Sequence, residues 1–447
     1  MPTTIQAAKA NANDSHFLIV AYSGRALAHA AKAASLYVTV ADQFGDSDTL
    51  QIADAYVPLD FPPPGATPKL QAACEPLRDL FRPNRSKLGR LPPISGVLLG
   101  GGCENRPGLI RHIQSFAGDS VLAGLPSPEA IRQLRDRKLW EAASKFTGCR
   151  FPTSMSAASF SAQVAPHASN LHHTWLLKAP DSAGGLGVRR IASNEPLPDD
   201  QPNRSIVQQF IPGRQLGVTL IIAPNGTRLA GCTESLSGQD WQPSTLPPNL
   251  DEFLYRGSWG PIQLTGQQQE HVLRLGDYCA RHTGWQGWLQ LDFIEDAEGH
   301  LWLLEINPRW TAGMEVLLRA SVCNPVTEHL QALRHRVPAN AGNKLASHNS
   351  IACAKAVWYA DRDLPAQKLL AATVQAQSKL DADSQPDFLE FTLCDVPVAS
   401  GKPILTGHPG LTIIVKQLFA TGMSKRRIRS TLLSHLSAAQ RALLSCL

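Results

Sequence analysis

Short apolar runs alternate with helix-like and glycine-rich stretches along the first part of the chain. In chain order the pattern predicts a strand at residues 17–21, a helix at 25–34, strands at 36–41 and 95–99, and a helix at 109–116. Strands that alternate with helices are typical of a parallel α/β sheet, in which ligands bind beyond the carboxyl ends of the strands. Ser23-Gly24 and Gly100-Gly101-Gly102 follow two of these strands and are therefore candidate ligand loops. The Pro-rich residues 61–93 predict connections and no core element.

From about residue 126 the pattern changes to short strands joined by tight turns. A helix is predicted from Ser127-Pro128 to Phe146, with Gly148 as its C-cap. Strands are predicted at 175–178, 206–211, 216–222, 228–233, 288–294 and 301–306, and one amphipathic helix at 266–282. Asn225-Gly226 and Glu298-Gly299 are typical hairpin turns. The expected fold class is therefore α/β followed by α+β.

The residues after about 335 show a third pattern. A strand at 351–359 is followed by a β segment with several Pro and Gly at 388–415, and the tail 423–447 has a helical pattern. A length of 447 residues corresponds to about three domains. We predict an N-terminal α/β domain (1–125), a central domain with lobes at 126–205 and 206–335, and a C-terminal β-rich domain with a helical tail (336–447).

Charge and cysteine content narrow the class of protein. The chain has 42 Lys and Arg against 37 Asp and Glu, a net charge of +5 that is too small and too dispersed to indicate a nucleic-acid partner. The dense basic stretch Lys425–Arg429 is interpreted as a solvated helix face, with a phosphate-binding patch as the alternative. Nine cysteines without a C-x-x-C pair favour reduced thiols. Without a signal-peptide core or a run of about 18 apolar residues, we expect a cytoplasmic protein with no membrane partner.

The strongest chemical signal lies in the last predicted hairpin of the central part. Asp292 is followed by Glu305 thirteen residues later and by Asn307 two residues after that. A simple hairpin pairs Asp292 with Leu303, so that Asp292 and Glu305 lie diagonally on one face, about 7–8 Å apart. Asn307 points to the same face. Two carboxylates and an amide oxygen are hard ligands suited to Mg²⁺, and a solvated hairpin face is the alternative.

Two further motifs precede this hairpin. Lys178 ends a strand before a loop that contains Gly184, Gly185 and Gly187. A cation and backbone N–H groups without a neighbouring Cβ suit phosphate binding, although a mobile surface turn has the same composition. The segment Gln208-Gln209-Phe210-Ile211 ends an apolar strand before Pro212-Gly213, and taken alone it fits a plain sheet strand.

In order and spacing, these three motifs resemble those of the ATP-grasp ligases, over about residues 125–330. Ser23-Gly24-Arg25, residues 44–48, residues 257–261 and the late β domain are further similar to the predicted ATP-dependent carboligases related to biotin carboxylase. No biotin-carrier motif is present. The resemblance implies an ATP-grasp fold with an N-terminal Rossmann-like (pre-ATP-grasp) α/β domain and a C-terminal β-rich domain.

The resemblance also implies a role for each matching residue. Asp292, Glu305 and Asn307 correspond to the family's metal triad, which binds Mg²⁺ or, alternatively, Mn²⁺. Lys138 and Lys178 correspond to the lysines that contact the α and β phosphates of ATP, and Arg309, with Lys178, is a catalytic candidate that stabilises the phosphoryl group. The other implied nucleotide contacts are Gly184, Gly185, Gly187, Gln208, Gln209, Phe210, Ile211 and Gln215. Gln208 and Gln215 stand where acidic residues are common in the family.

These features predict an ATP-dependent carboxylate–amine ligase that works through an acyl phosphate on small-molecule acid and amine substrates. Some neighbours of the related group add glutamate to coenzyme precursors, which suggests a similar substrate here. The C-terminal domain is expected to close the site or to form a homodimer. The alternatives are a carboxylase or kinase on the same core, a non-catalytic ATP-binding protein, and a nicotinamide-dependent oxidoreductase that uses the first domain. Glu104-Asn105-Arg106 and Arg256 each fit either a substrate contact or a structural role.

Overall fold

The computed structural model describes the chain in twelve segments, and all structural statements below concern these residues. They are 15–61, 67–82, 91–118, 122–163, 174–179, 184–192, 205–236, 238, 241, 252–334, 350–384 and 388–447. The chain divides into two units, Met1–Pro128 and Glu129–Leu447. Each unit is described by itself.

The first unit is built on a parallel sheet. Its strands are β1 (His16–Val20), β2 (Tyr37–Asp42), β3 (Ala55–Pro58) and β4 (Ile94–Leu99), in the order β3-β2-β1-β4. Its helices are α1 (Arg25–Ala33), α2 (Ser47–Ile52), α3 (Thr67–Arg78) and α4 (Pro107–Ala117). Every residue of β1 is buried, as expected for a strand inside a parallel sheet with both faces covered. The predicted alternation of strands and helices is confirmed.

The expectation that residues 61–93 hold only connections is wrong. This stretch contains α3 and a 3-10 turn at Asp79–Phe81. Cys74 and Leu77, on one side of α3, are buried. Pro76 lies inside the helix, where proline removes a hydrogen-bond donor and usually disfavours helix. Burial of the apolar side of α3 therefore outweighs the local preference that the prolines indicate.

The second unit opens with helices and a small antiparallel sheet. The helices are α5 (Pro128–Leu134), which begins at the boundary between the units, α6 (Arg137–Thr147) and α7 (Ala157–Gln163). The strands are β5 (Ser154–Ser156), β6 (Trp175–Lys178), β7 (Val188–Ile191) and β8 (Ile206–Gln209), in the order β5-β8-β6-β7. The single helix expected at 128–146 is two helices, because the Asp136 side chain accepts a hydrogen bond from the Lys138 amide and begins α6. Gly148 ends α6 with a φ of +81°, as predicted.

A large antiparallel sheet forms the rest of the second unit. Its described strands are β9 (Arg214–Ala223), β10 (Gly226–Ser235), β11 (Gly257–Gly260), β12 (Gly287–Glu295), β13 (Leu301–Asn307), β14 (Ser350–Tyr359), β15 (Leu389–Cys394) and β16 (Pro409–Phe419). Their order is β13-β12-β9-β10-β11-β14-β16-β15. The helices are α8 (Gly266–Thr283), α9 (Ala312–Arg319), α10 (Pro325–Leu333), α11 (Ala366–Asp383) and α12 (Lys425–Leu444).

The strands beyond residue 336 continue this sheet, since β14 pairs with β11 and places Lys355 opposite Ser258. A separate C-terminal domain stays a prediction, whereas the helical tail is confirmed as α12. Two basic residues in the first turns of α12 contact other parts of the second unit. Arg429 Nε donates to Glu234 Oε1 at 3.0 Å, and Lys425 Nζ donates to the Gln263 carbonyl at 3.3 Å.

Two other sequence features have a structural outcome. All nine cysteines are free thiols, and seven of them are buried. Among the described residues, no helix combines the length and the apolar character needed to cross a membrane.

Candidate functional site

The hairpin of β12 and β13 carries the residues predicted to bind a metal. Asp292 pairs directly with Glu305. The expected diagonal arrangement, with Asp292 opposite Leu303, is wrong because the register shifts between Asp292 and Phe293: Phe293 takes Leu303 as its partner, and Leu304 forms a bulge. Directly opposed residues share a sheet face, with Cβ atoms about 4.5–5.5 Å apart. The two carboxylates are therefore closer than the sequence indicated.

Asp292 lies in a network of amides that ends in an arginine. Asn307 Nδ2 donates to Asp292 Oδ2 at 2.8 Å, and Gln290 Nε2 approaches Asp292 Oδ1 at 3.4 Å. Arg309 Nη2 donates to Asn307 Oδ1 at 3.1 Å. Burial, and then the charge of Glu305, raise the pKa of Asp292 to about 7, although Arg309 and the amides act in the opposite direction. Its negative charge is thus poorly offset by the protein.

Glu305 connects the hairpin to two other elements. Arg135 Nη1, between α5 and α6, donates to Glu305 Oε1 at 2.9 Å. The side chain of Lys178, at the end of β6, has no hydrogen bond or ion pair with another described residue. Burial lowers the pKa of Lys178, the charge of Glu305 raises it, and Arg137 lowers it further. Lys178 and the oxygen cluster, defined as Asp292, Glu305 and Asn307, therefore share one electrostatic environment.

Lys138 lies in the first turn of α6. Its side chain is exposed, and its backbone amide serves the N-cap of α6 by donating to Asp136 Oδ1 at 3.0 Å. The neighbouring Arg137 is the residue of this turn that acts on Lys178. The role of Lys138 in phosphate binding stays a prediction.

The glycine-rich loop between β6 and β7 is held by residues 252–256, here called the strap. Left-handed φ values of +61°, +82° and +71° are found at Gly184, Gly185 and Gly187. The Tyr255 amide donates to the Gly184 carbonyl at 2.7 Å. A Cβ at Gly185 would lie 1.8 Å from the Phe253 carbonyl oxygen, so only glycine permits this approach. The described part of the loop is therefore held by the strap at Gly184 and Gly185.

The connection between β8 and β9 carries the residues expected to contact adenine and ribose, which are Gln208, Gln209, Phe210, Ile211 and Gln215. Gln208 is buried and its Nε2 donates to Ser154 Oγ at 2.9 Å, while its Oε1 accepts no hydrogen bond from a described residue. Phe210 lies beneath the Arg190 guanidinium, 4.0 Å from the ring centroid. Gln215, the second residue of β9, is exposed. Their contacts with a nucleotide stay predictions.

Arg190 links this connection to the strap. Its guanidinium lies over Phe210 and also 5.7 Å from the centroid of Phe253. It forms an ion pair with Glu252, with Nη2 to Oε1 at 2.8 Å. Sequence reasoning missed Arg190, Phe253 and Arg135, because each acts on a partner far along the chain and no local spacing links them.

The strap also reaches the large sheet. Lys355 Nζ of β14 donates to Glu315 Oε2 of α9 at 2.7 Å, and both side chains are buried. Burial raises the pKa of Tyr255, Lys355 lowers it, and Glu315 and Asp292 raise it. Tyr255 is therefore within electrostatic reach of both this buried ion pair and the oxygen cluster.

The turn of the hairpin holds a second acidic group that is structural. Asp296 accepts hydrogen bonds from the His300 amide at 2.8 Å and from Trp302 Nε1 at 2.8 Å. Burial acts to raise the pKa of Asp296, but the hydrogen bonds from Trp302 and His300 outweigh it and lower the pKa to about 2. The carboxylate thus closes the turn.

In the first unit, the carboxylate that could bind the ribose of a dinucleotide is hydrogen-bonded to the protein backbone. Asp42, at the end of β2, is buried and accepts hydrogen bonds from the Gly24 amide at 2.8 Å and the Gly45 amide at 2.9 Å. It therefore fixes the turn after β1 and does not extend toward a ribose, which argues against the oxidoreductase alternative. Beside Gly100-Gly101-Gly102, Arg106 Nη1 donates to the Gly102 carbonyl at 2.6 Å, which supports a structural role at the entry of α4.

Comparison with known proteins assigns the central part of the chain. Residues 138–313 match the ATP-grasp domain family. These residues form an ATP-grasp domain. They include the glycine-rich loop, the connection between the two sheets and the whole oxygen cluster.

One curated relative of the ATP-grasp domain is a D-alanine–D-alanine ligase from Ectopseudomonas mendocina (strain ymp). The two sequences are 25% identical over 203 residues, which are 43% of this chain and 58% of the relative. The chain therefore matches little more than half the length of that relative.

Two solved structures are similar to this chain over almost its whole length. N5-carboxyaminoimidazole synthase from Aspergillus clavatus, in complex with ADP and 5-aminoimidazole ribonucleotide, has a TM-score of 0.62 and 14% identity, covering 96% of this chain and 99% of that chain. An L-amino acid ligase from Bacillus licheniformis has a TM-score of 0.60 and 12% identity, covering 95% and 97%. At these identities the likeness establishes the fold, and the predicted fold class is confirmed.

Proposed function

We propose that this chain is an ATP-dependent ligase that joins a small-molecule carboxylic acid to an amine and releases ADP and phosphate. The observation that carries the proposal is the oxygen cluster in the electrostatic environment of Lys178. An ATP-grasp domain in which two carboxylates lie on directly paired residues beside an amide, and in which a lysine side chain has no partner among the described residues, has the charges that phosphoryl transfer needs. The similarity to a D-alanine–D-alanine ligase supports the choice of carbon–nitrogen bond formation.

The oxygen cluster fits Mg²⁺, with Mn²⁺ as an alternative. Its three side chains supply hard oxygen atoms, and the charge of Asp292 is poorly offset by its protein neighbours, as its raised pKa indicates. Asp292, Glu305 and Asn307 would hold the ion. When bound, the ion would neutralise phosphate charge and polarise a phosphoryl oxygen.

In the proposed reaction an acid carboxylate oxygen attacks the γ-phosphorus of ATP, and the bond to the β–γ bridging oxygen breaks to release ADP. The amine nitrogen then attacks the acyl carbon, the carbon–oxygen bond to phosphate breaks, and the nitrogen loses a proton to solvent. Lys178 and Arg309 offset the negative charge that develops on the transferred group. Positioning and electrostatics suffice, so no protein nucleophile is required.

The anchored glycine-rich loop and the connection at residues 208–211 are the proposed phosphate and adenine contacts. Gly184, Gly185 and Gly187 leave backbone N–H groups accessible. Gln208 has a buried Oε1 without a described donor, which suits an exocyclic amine of a base. Gln215 and Lys138, both exposed, complete the proposed nucleotide contacts.

A hydroxamate assay tests this proposal. The protein is incubated with ATP, Mg²⁺, a library of carboxylic acids and hydroxylamine, which traps an acyl phosphate as a coloured hydroxamate. We expect ADP and hydroxamate in equal amounts, and only with a matching acid. Release of ADP without hydroxamate for any acid would favour a kinase or carboxylase. Absence of ADP with every acid and amine would favour a non-catalytic ATP-binding protein.

A further inference from the structure

Arg256 differs from the other buried cations of the described chain. Four Arg and Lys side chains are buried: Arg25, Arg106, Arg256 and Lys355. Three have an oxygen partner, with Arg25 Nε 3.7 Å from Asp48, Arg106 bonded to the Gly102 carbonyl, and Lys355 bonded to Glu315. Arg256 is 5% exposed, and its Nε and Nη1 are buried without a hydrogen bond. No ion pair joins it to a described residue.

The position of Arg256 is well fixed. Its carbonyl accepts a hydrogen bond from the Val357 amide at 2.9 Å, which continues the pairing of β11 with β14. The guanidinium packs against Gly238, where a Cβ would lie 3.3 Å from Arg256 Nε. The neutral Tyr359 donates its hydroxyl to the Tyr255 carbonyl at 2.7 Å. These neighbours hold the guanidinium in place but supply no negative charge.

A buried guanidinium without a counter-charge is energetically costly, and arginine does not release the cost by losing its proton. The planar donors of arginine match the oxygens of a carboxylate or a phosphate. Arg256 follows Tyr255, which bonds the glycine-rich loop and lies within electrostatic reach of Asp292. A ligand anion at Arg256 would therefore lie beside the proposed active site.

We propose that Arg256 binds a second anionic group of the acid substrate, a carboxylate or phosphate that does not react. The substrate would accordingly be an acid with at least two negative groups, one for the oxygen cluster region and one for Arg256. The identification of the ligand as an acid substrate rests on the proposed ligase function. Anion binding at Arg256 itself is testable without turnover.

The test is calorimetric titration of the full chain with sodium succinate and with sodium phosphate, against sodium chloride at equal ionic strength. The variants are Arg256→Gln, which removes the charge, and Arg256→Lys, which keeps the charge but loses the planar donors. Arg274→Gln is the matched control, because Arg274 is an exposed arginine paired with Glu270 in the same unit. Asp292→Asn, which is expected to lose turnover, tests whether anion binding at Arg256 is independent of turnover.

We expect the wild-type chain, Arg274→Gln and Asp292→Asn to bind at least one of the two anions equally well. Arg256→Gln should bind it roughly 10- to 100-fold more weakly, with Arg256→Lys between them and MgADP affinity unchanged in both. Equal anion affinity in Arg256→Gln and Arg274→Gln, or no anion binding by the wild type, would overturn the proposal. Loss of MgADP affinity in Arg256→Gln would assign the anion to the nucleotide and equally overturn it. An Arg256-dependent anion site in a chain that produces no ADP would contradict the proposed function alone.

Discussion

The oxygen cluster consists of neighbours on one hairpin, and one of them is bonded to an arginine from a distant part of the chain. Asp292, Glu305 and Asn307 lie on adjacent segments of one hairpin, and the side-chain period of two places them on one face. Arg135, bonded to Glu305 at 2.9 Å, is 170 residues away in the chain. No local pattern links residues so far apart, so this ion pair appears only when the chain has folded.

Asp292→Asn should lower the rate of Mg²⁺-dependent ADP production by roughly 100-fold or more, because the amide removes one of two anionic ligands of the proposed site. The fold should persist, because burial disfavours the charged form of Asp292 and raises its pKa to about 7, so that a neutral amide at this position is expected to be tolerated. Glu298→Gln, an exposed acid in the turn of the same hairpin, is the control and should keep full activity. Steady-state ADP production measures both, and equal rates would refute the metal assignment.

His329 should make stability depend on pH. It stacks on Trp288, its Nδ1 accepts the Trp288 amide at 3.1 Å, and burial lowers its pKa from 6.5 to about 3. Between pH 6.5 and about 3 the unfolded chain therefore binds a proton that the folded chain rejects. The free energy of unfolding falls as the pH falls through this range, by about 2 kcal/mol between pH 6.5 and pH 5.

His329→Asn retains an acceptor for the Trp288 amide but does not titrate. The loss of free energy of unfolding between pH 7.5 and pH 5 should therefore be smaller in this variant than in the wild type. Urea unfolding at the two pH values measures it. An identical pH dependence in both proteins would show that His329 is not the group responsible.

At the level of elements, hydrophobic periodicity predicted strands better than helices. The hairpins at Asn225-Gly226 and Glu298-Gly299 form as expected, because their turn residues favour the backbone angles required. Helices α9 and α10 were not predicted, since a short helix buried on a sheet has no clean polar face. The bulge at Leu304 was also not predicted, because the alternation of hydrophobic and polar residues does not reveal an inserted residue in this strand.

Gly185→Ala should impair the glycine-rich loop more than Gly184→Ala. Both residues have positive φ values, so both alanines cost about 1–2 kcal/mol of backbone strain. A Cβ at Gly184 has its nearest neighbour at 3.9 Å, whereas a Cβ at Gly185 would collide with the Phe253 carbonyl. Only Gly185→Ala must therefore displace the strap.

We expect the KM for ATP of Gly185→Ala to exceed that of Gly184→Ala by about tenfold, which corresponds to about 1.4 kcal/mol. Hydrogen exchange of residues 184–191 should also be faster in Gly185→Ala, and this readout does not depend on turnover. Equal KM values and equal exchange rates in the two variants would contradict the anchoring of the loop by the strap.

At the scale of the second unit, the main finding is that one sheet continues from the ATP-grasp domain into the C-terminal segment. Strand β14 pairs with β11, and its Lys355 reaches Glu315 on α9, the helix that follows Arg309. A residue beyond the matched family segment thus contacts the helix that follows Arg309. The composition change after residue 335 predicts a separate domain, and this stays a prediction; composition carries no information on which strands pair.

Lys355→Met should lower the free energy of unfolding by about 3–5 kcal/mol, because the buried carboxylate of Glu315 would lose its ion pair with Lys355. Lys416→Met is the control, since Lys416 pairs with Glu390 at 3.3 Å on the same sheet but both side chains are partly exposed. Its cost should be about 1 kcal/mol or less. Urea unfolding measures both, and the double variant Lys355→Met, Glu315→Gln should recover part of the loss. Equal costs for the two lysines would contradict the importance of burial.

The sequence by itself determined most of the strands, the hairpin turns and the donor types of the oxygen cluster, because strand period, turn residues and hard oxygen donors are local properties. Two carboxylates and an amide at intervals of thirteen and two residues were sufficient to locate the oxygen cluster. Only the tertiary structure decided the direct pairing of Asp292 with Glu305, the contact of Gly184 and Gly185 with the strap, and the burial of the Arg256 guanidinium without a counter-charge among the described residues. Each of these features depends on contacts between segments that are distant in the chain. Burial, and the pKa shifts that it causes, arises only when those segments have come together.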